Sequence, residues 1–209
     1  MLRYLYADDL TYFPKLQDTM FRDRATSFRD RLGWPVHVDH NGWERDEYDG
    51  LNPLYVIWQA ADGSHLGSMR FLPTVGPTML NDHFRHLLPR RIEAPDVWEC
   101  TRFCLSHRAG PGIARALMLG AAELGAGLAL ARAVGVFDAR MERVYRRLGW
   151  CPDVIGHTGK GRAAVSVGLW DFSERQRLCL AAKAGITPSL SRLWFSRAFG
   201  LRLPLSAVG

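Results

Sequence analysis

Four charged residues stand where apolar side chains are expected. Arg24 falls between Met20 and Phe28 on the apolar stripe of a helix-like stretch, one turn from each. Arg70 sits mid-strand, on the face shared by Leu66, Ser68 and Leu72. Glu99 and Arg102 interrupt Val97-Trp98-Glu99-Cys100-Thr101-Arg102-Phe103-Cys104-Leu105, otherwise the pattern of a buried strand. Burying a charge is costly unless it is paired. Two readings follow. One is a structural ion-pair network, with Arg24 a boundary residue whose stem snorkels. The other is a polar cleft lined by Arg24, Arg70, Arg102 and Glu99, beside the acids of a loop carrying Asp39, Asp46 and Asp49. In such a cleft a carboxylate can take a proton and guanidinium groups can hold an anion. Parity is an obstacle, because residues 99 and 102 of a regular strand point to opposite faces. A bulge or a splayed strand would bring them to one side.

Other chemistries find less support. His83 and His86 are spaced i, i+3, but no third ligand stands at a recognisable spacing, so no metal is expected. Gly110-Pro111-Gly112 before a helix suits a turn better than a phosphate cradle. No Gly-x-Ser-x-Gly elbow is present for serine chemistry. Cys100 and Cys104 lie four apart in one strand, about 13 Å if extended, too far to bridge. With Cys151 and Cys179 they read as reduced core cysteines of a cytosolic protein.

The elements that must position these residues follow from periodicity and punctuation. Leu2–Tyr6 alternates as a strand of edge length, and a helix is predicted from about Tyr12 to Arg31, ended by Gly33-Trp34-Pro35. Residues 35–53 form a long irregular segment interleaved with Trp43 and Tyr48. Leu54–Ala60 and His65–Leu72 flank Asp62-Gly63, a hairpin signal. A short helix is expected around Asn81–Leu88, a third strand at Val97–Ser106 and a long helix from Gly112 to about Leu130. Ala133–Phe137 is a strand, Asp138 caps a helix ending at Gly149, and Ala163–Trp170 is the last clear strand. Ser173 and Gln176 make a capping box for a helix ending at Gly185, and Thr187–Gly209 reads as an apolar tail carrying Arg192, Arg197 and Arg202. This order predicts one α/β domain over residues 1–209, a mixed sheet with helices on both faces.

Composition agrees. The 209 residues are 47% hydrophobic and 23% charged, values of a globular chain with an adequate core. Twenty-seven basic against 21 acidic side chains give +6, a mild excess that suits an acidic partner. No apolar run reaches the roughly 18 residues of a membrane span. Met1-Leu2-Arg3-Tyr4 runs straight into Ala7-Asp8-Asp9, unlike a signal peptide, so a cytoplasmic location is expected.

The set of spaced residues resembles the acyl-homoserine-lactone synthases, the bacterial autoinducer synthases. Arg24, Phe28 and Trp34 stand at the family's N-terminal positions. Glu44-Arg45-Asp46-Glu47-Tyr48-Asp49 resembles its acidic segment, Gly67-Ser68-Met69-Arg70-Phe71-Leu72-Pro73-Thr74 its central strand and turn, and Trp98-Glu99-Cys100-Thr101-Arg102-Phe103-Cys104 its Glu-x-x-Arg strand. The resemblance spans roughly residues 5–170 and leaves the role of the tail, 187–209, unassigned. It implies an acetyltransferase-like sandwich whose fourth strand is bulged and splays from the fifth, which would remove the parity problem.

The resemblance also implies a reaction. S-adenosylmethionine is acylated on its α-amine by a thioester, usually on acyl carrier protein and in some members on coenzyme A, and then lactonises with loss of methylthioadenosine. S-adenosylmethionine is a substrate there, and neither a cofactor nor a metal is implied. Glu99 and Arg102 are the implied catalytic residues, with Glu99 as base. Arg24, Phe28, Trp34, Asp46, Asp49, Arg70 and Phe103 are the implied S-adenosylmethionine pocket, and Arg24, Arg70 and Arg102 compete for its carboxylate. The acyl chain should lie between the splayed strands, towards residues 133–150. Members that prefer 3-oxo chains often carry Thr at the position of Gly135, so a plain or bulkier acyl group is expected, and Gly135→Thr should shift preference to 3-oxo donors. Arg140, Arg143, Arg146, Arg147, Lys160 and Arg162 are either a solvated face or a dock for acidic acyl carrier protein, with Arg146 and Arg147 its centre.

Two alternatives stand beside this reading. Val144-Tyr145-Arg146-Arg147-Leu148-Gly149-Trp150 resembles the Tyr-x-x-x-Gly-aromatic stretch of N-acetyltransferases that use acetyl-coenzyme A, although a core Tyr before a helix-capping Gly fits equally. A basic nucleic-acid-binding module would use the arginines of 140–147 and of the tail, but no recognition motif supports it and the cleft charges would go unexplained.

Overall fold

The computed structural model describes residues 1–138, 140–161 and 164–200. Seven strands form one sheet: β1 (Leu2–Tyr6), β2 (Leu54–Gln59), β3 (His65–Pro73), β4 (Val97–Leu105), β5 (Arg132–Asp138), β6 (Asp153–Thr158) and β7 (Val165–Asp171). Their spatial order is β1-β2-β3-β4-β5-β7-β6. All neighbours are antiparallel except β4 and β5, which run parallel.

Helices cover both faces, and β2 shows why. Its run Leu54-Tyr55-Val56-Ile57 sends Leu54 and Val56 into one core and Tyr55 and Ile57 into another. The first core is roofed by the apolar helix α4 (Ile113–Gly127). The second is closed by α1 (Ala7–Leu10) and α2 (Pro14–Ala25) through Leu10, Leu16, Met20 and Phe21. A strand sandwiched in this way reads as continuous hydrophobicity rather than alternation. A short helix, α3 (Met79–His83), sets Leu80 against Val134 and Val167. α5 (Arg140–Leu148) follows β5, and α6 (Glu174–Ala184) runs from its Ser173 cap to left-handed Gly185, as predicted. No helix of the described residues is long and apolar enough to cross a membrane.

Four expectations need correction. Of the four cysteines Cys151 and Cys179 are exposed rather than in the core, because they stand past the end of α5 and on the outer face of α6. The predicted helix 12–31 is broken: α1 precedes it, and past Ala25 it widens into a π-turn, Thr26–Arg31, where Leu32 N–H donates to Ser27 C=O five residues back at 3.2 Å. The apolar tail is a further helix, α7 (Pro188–Ala198), started by Thr187 with Pro188 at its first position. Its Phe195 lies against Gly127, where a β-carbon would come within 2.1 Å of the ring. The strand β6 was not predicted, because it is an exposed edge strand with no buried face to impose a pattern. Arg162, Ala163, Arg202 and the rest of 201–209 lie outside the described residues, as does Ala139, on which the Asp138 cap depends.

Candidate active site

β4 carries the feature that resolves the parity problem. Ser68 of β3 pairs with Cys104 and Arg70 pairs with Thr101, so Met69 alone faces both Arg102 and Phe103. Arg102 takes the left-handed conformation at φ 53°. This is a β-bulge. It turns Arg102 to the side of Glu99 and Thr101, while Cys100 and Phe103 pack against the large core. A second irregularity lies beside it. β4 and β5 pair only at Val97↔Arg132, Trp98↔Ala133 and Glu99↔Val134, and beyond that point they diverge.

A cavity of about 440 Å³ opens in the splay. Of the sequence-predicted residues, Phe28, Trp34, Arg102, Phe103 and Gly135 line it. Phe28 comes from the π-turn, and Gly33, at φ 67°, reverses the chain so that Trp34 N–H donates to Phe28 C=O at 2.8 Å. The Trp34 ring is thereby stacked on Phe28 at 5.2 Å and 12°. Arg102 lies over the Phe28 ring at 5.3 Å. Deeper walls come from Met118 and Ala121 of α4, Met141 and Tyr145 of α5, and Trp150 and Trp170.

Arg24, Arg70, Asp46 and Asp49 do not line the cavity. They form a closed ion network behind it. Arg24 grips Asp49 with both terminal nitrogens at 2.9 and 2.8 Å, and its Nε donates to Glu44 at 2.6 Å. Arg70 makes a two-point pair with Asp46, reaches Asp49 Oδ1 at 3.0 Å and donates from Nε to Thr101 Oγ1 at 3.0 Å. Arg102 reaches Glu44 at 2.9 Å and Asp46 at 2.7 Å. Three guanidinium groups thus meet three carboxylates, which compensates the desolvation of each. Tyr55 O–H also donates to Asp49 at 2.6 Å. Desolvation would raise the Asp49 carboxyl, but Arg24 and Arg70 hold it well below the usual carboxylate range. The acids are fixed in turn by backbone: Asp46 accepts from Tyr48 N–H at 3.0 Å and Asp49 from Asp46 N–H at 2.9 Å, capping the short 3₁₀ turn Glu47–Leu51.

The three arginines therefore differ in their access to the cavity. Arg24 and Arg70 are 1% and 0% exposed and fully engaged, whereas Arg102 is 10% exposed and faces the cavity. Arg24 and Arg70 are enclosed in the network, and Arg102 stands at the border between network and cavity.

Glu99 is buried at the base of the splay, one residue before the cavity wall at Cys100. Its two oxygens accept Met79 N–H at 3.1 Å and Leu80 N–H at 2.6 Å. Burial pushes its carboxyl up to about 7, although the two amides and Arg70 favour the charged form. A carboxyl balanced in this way can accept or release a proton near neutrality. Met79, whose amide it holds, lines the cavity.

The sequence reading passed over Glu44 as a site residue. It is fully buried and joins Arg24 to Arg102. Position 135 is tightly packed. A β-carbon on Gly135 would sit 2.9 Å from the Cys100 carbonyl oxygen and 3.4 Å from the Trp170 ring, so a threonine there requires the β4 backbone to shift. Arg146 and Arg147 are exposed on the outer side of α5 and make no ion pair among the described residues. Among the described residues no group of three or more His, Cys, Asp and Glu side chains is placed to hold a metal.

Comparison with known proteins agrees with this geometry. The family model described as autoinducer synthase matches residues 9–178. An acyl-homoserine-lactone synthase of Rhizobium etli is 43% identical over 181 residues, covering 83% of this chain and 85% of that protein. The structure of TofI in a ternary complex with an inhibitor and MTA superposes with a TM-score of 0.68 at 28% identity, covering 83% of this chain and 91% of TofI. The CoA-dependent acyl-homoserine lactone synthase BjaI, solved with SAM and isopentyl-CoA, shares the fold at a TM-score of 0.81 and 20% identity, with 91% of each chain covered.

Proposed function

Because the chain belongs to the autoinducer synthase family, whose members are acyltransferases, we propose that it joins an acyl group to S-adenosylmethionine in the splay cavity and closes the product to an N-acyl-homoserine lactone. The observation that carries this reading is Arg102: held by the bulge and by Glu44 and Asp46, it alone of the three network arginines lines the cavity.

The methionine carboxylate pairs with Arg102, and the stacked Phe28 and Trp34, with Phe103, wall the rest of the molecule. Arg24, Arg70, Glu44, Asp46 and Asp49 act from behind, fixing the Arg102 fork. Glu99 takes the proton of the α-ammonium through a water, because it stands just outside the cavity wall. The free amine then attacks the thioester carbonyl, the amide forms and the thiol leaves. In the second step the carboxylate attacks its own γ-carbon, the carbon–sulfur bond breaks and methylthioadenosine departs. That closure is intramolecular, so a folded pose supplies much of the rate.

The acyl chain occupies the apolar depth of the cavity, between Gly135 and the walls from α4 and α5. Arg146 and Arg147 make acyl carrier protein the favoured donor, because exposed cations without acidic partners among the described residues suit an acidic protein. Purified chain, S-adenosylmethionine and matched acyl-carrier and acyl-coenzyme A donors test this. Methylthioadenosine release should be faster with the carrier; faster release with coenzyme A would reverse the donor assignment.

A further inference from the structure

Tyr145 is a polar group that neither the network nor the proposed chemistry uses. It lies on the inward face of α5, one turn after Met141, and both line the cavity. The residue is 8% exposed. Its ring is locked edge-on against Phe137 at 5.3 Å and Trp170 at 5.0 Å. Two such contacts leave the ring little freedom and give the hydroxyl a fixed position.

Among the described residues that hydroxyl has no hydrogen-bond partner. It is not sealed off either: the one side-chain polar atom both sealed and unpartnered among the described residues is Ser191 Oγ. The hydroxyl therefore keeps some accessible surface, and Tyr145 is among the residues that line the cavity. The Trp170 indole N–H is committed to the Trp150 carbonyl at 3.2 Å, Gly135 has no side chain, and Met118, Ala121 and Met141 are apolar. The polar lining residues Cys100, Thr101 and Asp138 make no hydrogen bond to the phenol among the described residues. A donor left unpaired in an apolar pocket disfavours a purely apolar occupant, because the occupant strips its water and returns no bond. Burial also holds the phenol protonated, hence a donor, at any ordinary pH.

We propose that Tyr145 is a specificity residue that donates a hydrogen bond to an oxygen carried on the acyl chain, so that the preferred donors are oxygenated acyl thioesters, such as 3-hydroxy or 3-oxo chains, rather than plain ones. This rests on the acyl-transfer reading above. Taken alone, the missing hydroxyl at Gly135 points to a plain chain; the phenol of Tyr145, which packs on the same Trp170 ring, reverses that expectation.

The experiment compares wild type and Tyr145→Phe with S-adenosylmethionine and matched plain, 3-hydroxy and 3-oxo thioesters of six, eight and ten carbons on one carrier. The readout is kcat/KM from methylthioadenosine release. Wild type should favour an oxygenated chain by about tenfold, the worth of one neutral hydrogen bond. Tyr145→Phe, which keeps the ring and its packing, should abolish that preference, lowering the oxygenated donor and raising the plain chain, whose binding then leaves no phenol unpaired. A wild type that prefers the plain chain overturns the proposal. So does an equal loss on all three donors, which would assign Tyr145 to the chemical step or to folding. No turnover of any donor by wild type would instead overturn the acyl-transfer reading on which the proposal stands.

Discussion

Glu99→Gln probes two properties of one buried carboxyl. In the folded protein Glu99 titrates near 7, against 4.5 for an ordinary glutamate, mainly because burial penalises the charge. At about 1.4 kcal/mol per pH unit the difference corresponds to roughly 3 kcal/mol. Its sign is fixed: the folded state holds the proton more tightly, so the contribution of Glu99 to stability is fully present below about pH 4.5 and is lost as pH rises through 7. The variant removes that dependence. It also introduces a cost, because an amide has one acceptor oxygen for the two N–H groups of Met79 and Leu80, and an unsatisfied buried N–H costs about 1–3 kcal/mol. The two effects nearly cancel above pH 7, and the variant should fold. Denaturant titrations from pH 5 to 8 should show wild type losing about 2.5 kcal/mol relative to Glu99→Gln across that window. Activity should run the opposite way. With Glu99 as base, kcat/KM should fall about tenfold per pH unit below 7, and the variant should lose about 10²–10⁴-fold. An acid limb near 4.5, or a variant within threefold of wild type, would refute Glu99 as the base. A stability difference that does not change with pH would refute the raised titration itself.

Other perturbations separate the network from the cavity. Arg70→Ala should destabilise by about 3–5 kcal/mol, because it takes one of two cations from each of Asp46 and Asp49 and leaves the buried network one positive charge short; a melting temperature within 2 °C of wild type would place Arg70 outside the scaffold. Reversing charge at Arg146 and Arg147 together should raise KM for an acyl-carrier donor about tenfold and leave an acyl-coenzyme A donor unaffected, as steady-state kinetics with each would show. Equal effects would remove α5 as a carrier dock. Gly135→Thr should slow turnover of every chain, since its β-carbon meets the Cys100 carbonyl; a clean gain in 3-oxo use would show that the splay can widen there.

The legible parts of this site are those where charge and pattern disagree. Arg24, Arg70, Glu99 and Arg102 each interrupt an apolar period, and an interruption of that kind must be paired or used. All but Arg102 are sealed in the structure, and all are hydrogen-bonded. The parity conflict between 99 and 102 likewise demanded a bulge, and the left-handed Arg102 supplies it. Glu44 escaped notice because it lies in an irregular segment, where an acid is unremarkable until the fold wraps around it. β6 escaped for a related reason: with neither face buried, Val154 and Ile155 follow no alternation. The helix α7 did carry a signal, Thr187-Pro188 before an apolar run, but its apolar face is defined by Tyr4 and Gly127, which only tertiary structure brings together. Which arginine faces the cavity was not legible either, since all three alternatives satisfy the same pattern and only the bulge distinguishes them.

The most direct test expresses this chain in a bacterium lacking its own synthase and examines the culture extract by mass spectrometry. A homoserine-lactone fragment ion should appear, with a parent mass that reports the acyl group and its oxygen. An extract without that ion, together with purified chain that releases no methylthioadenosine across a full donor panel, would contradict the account.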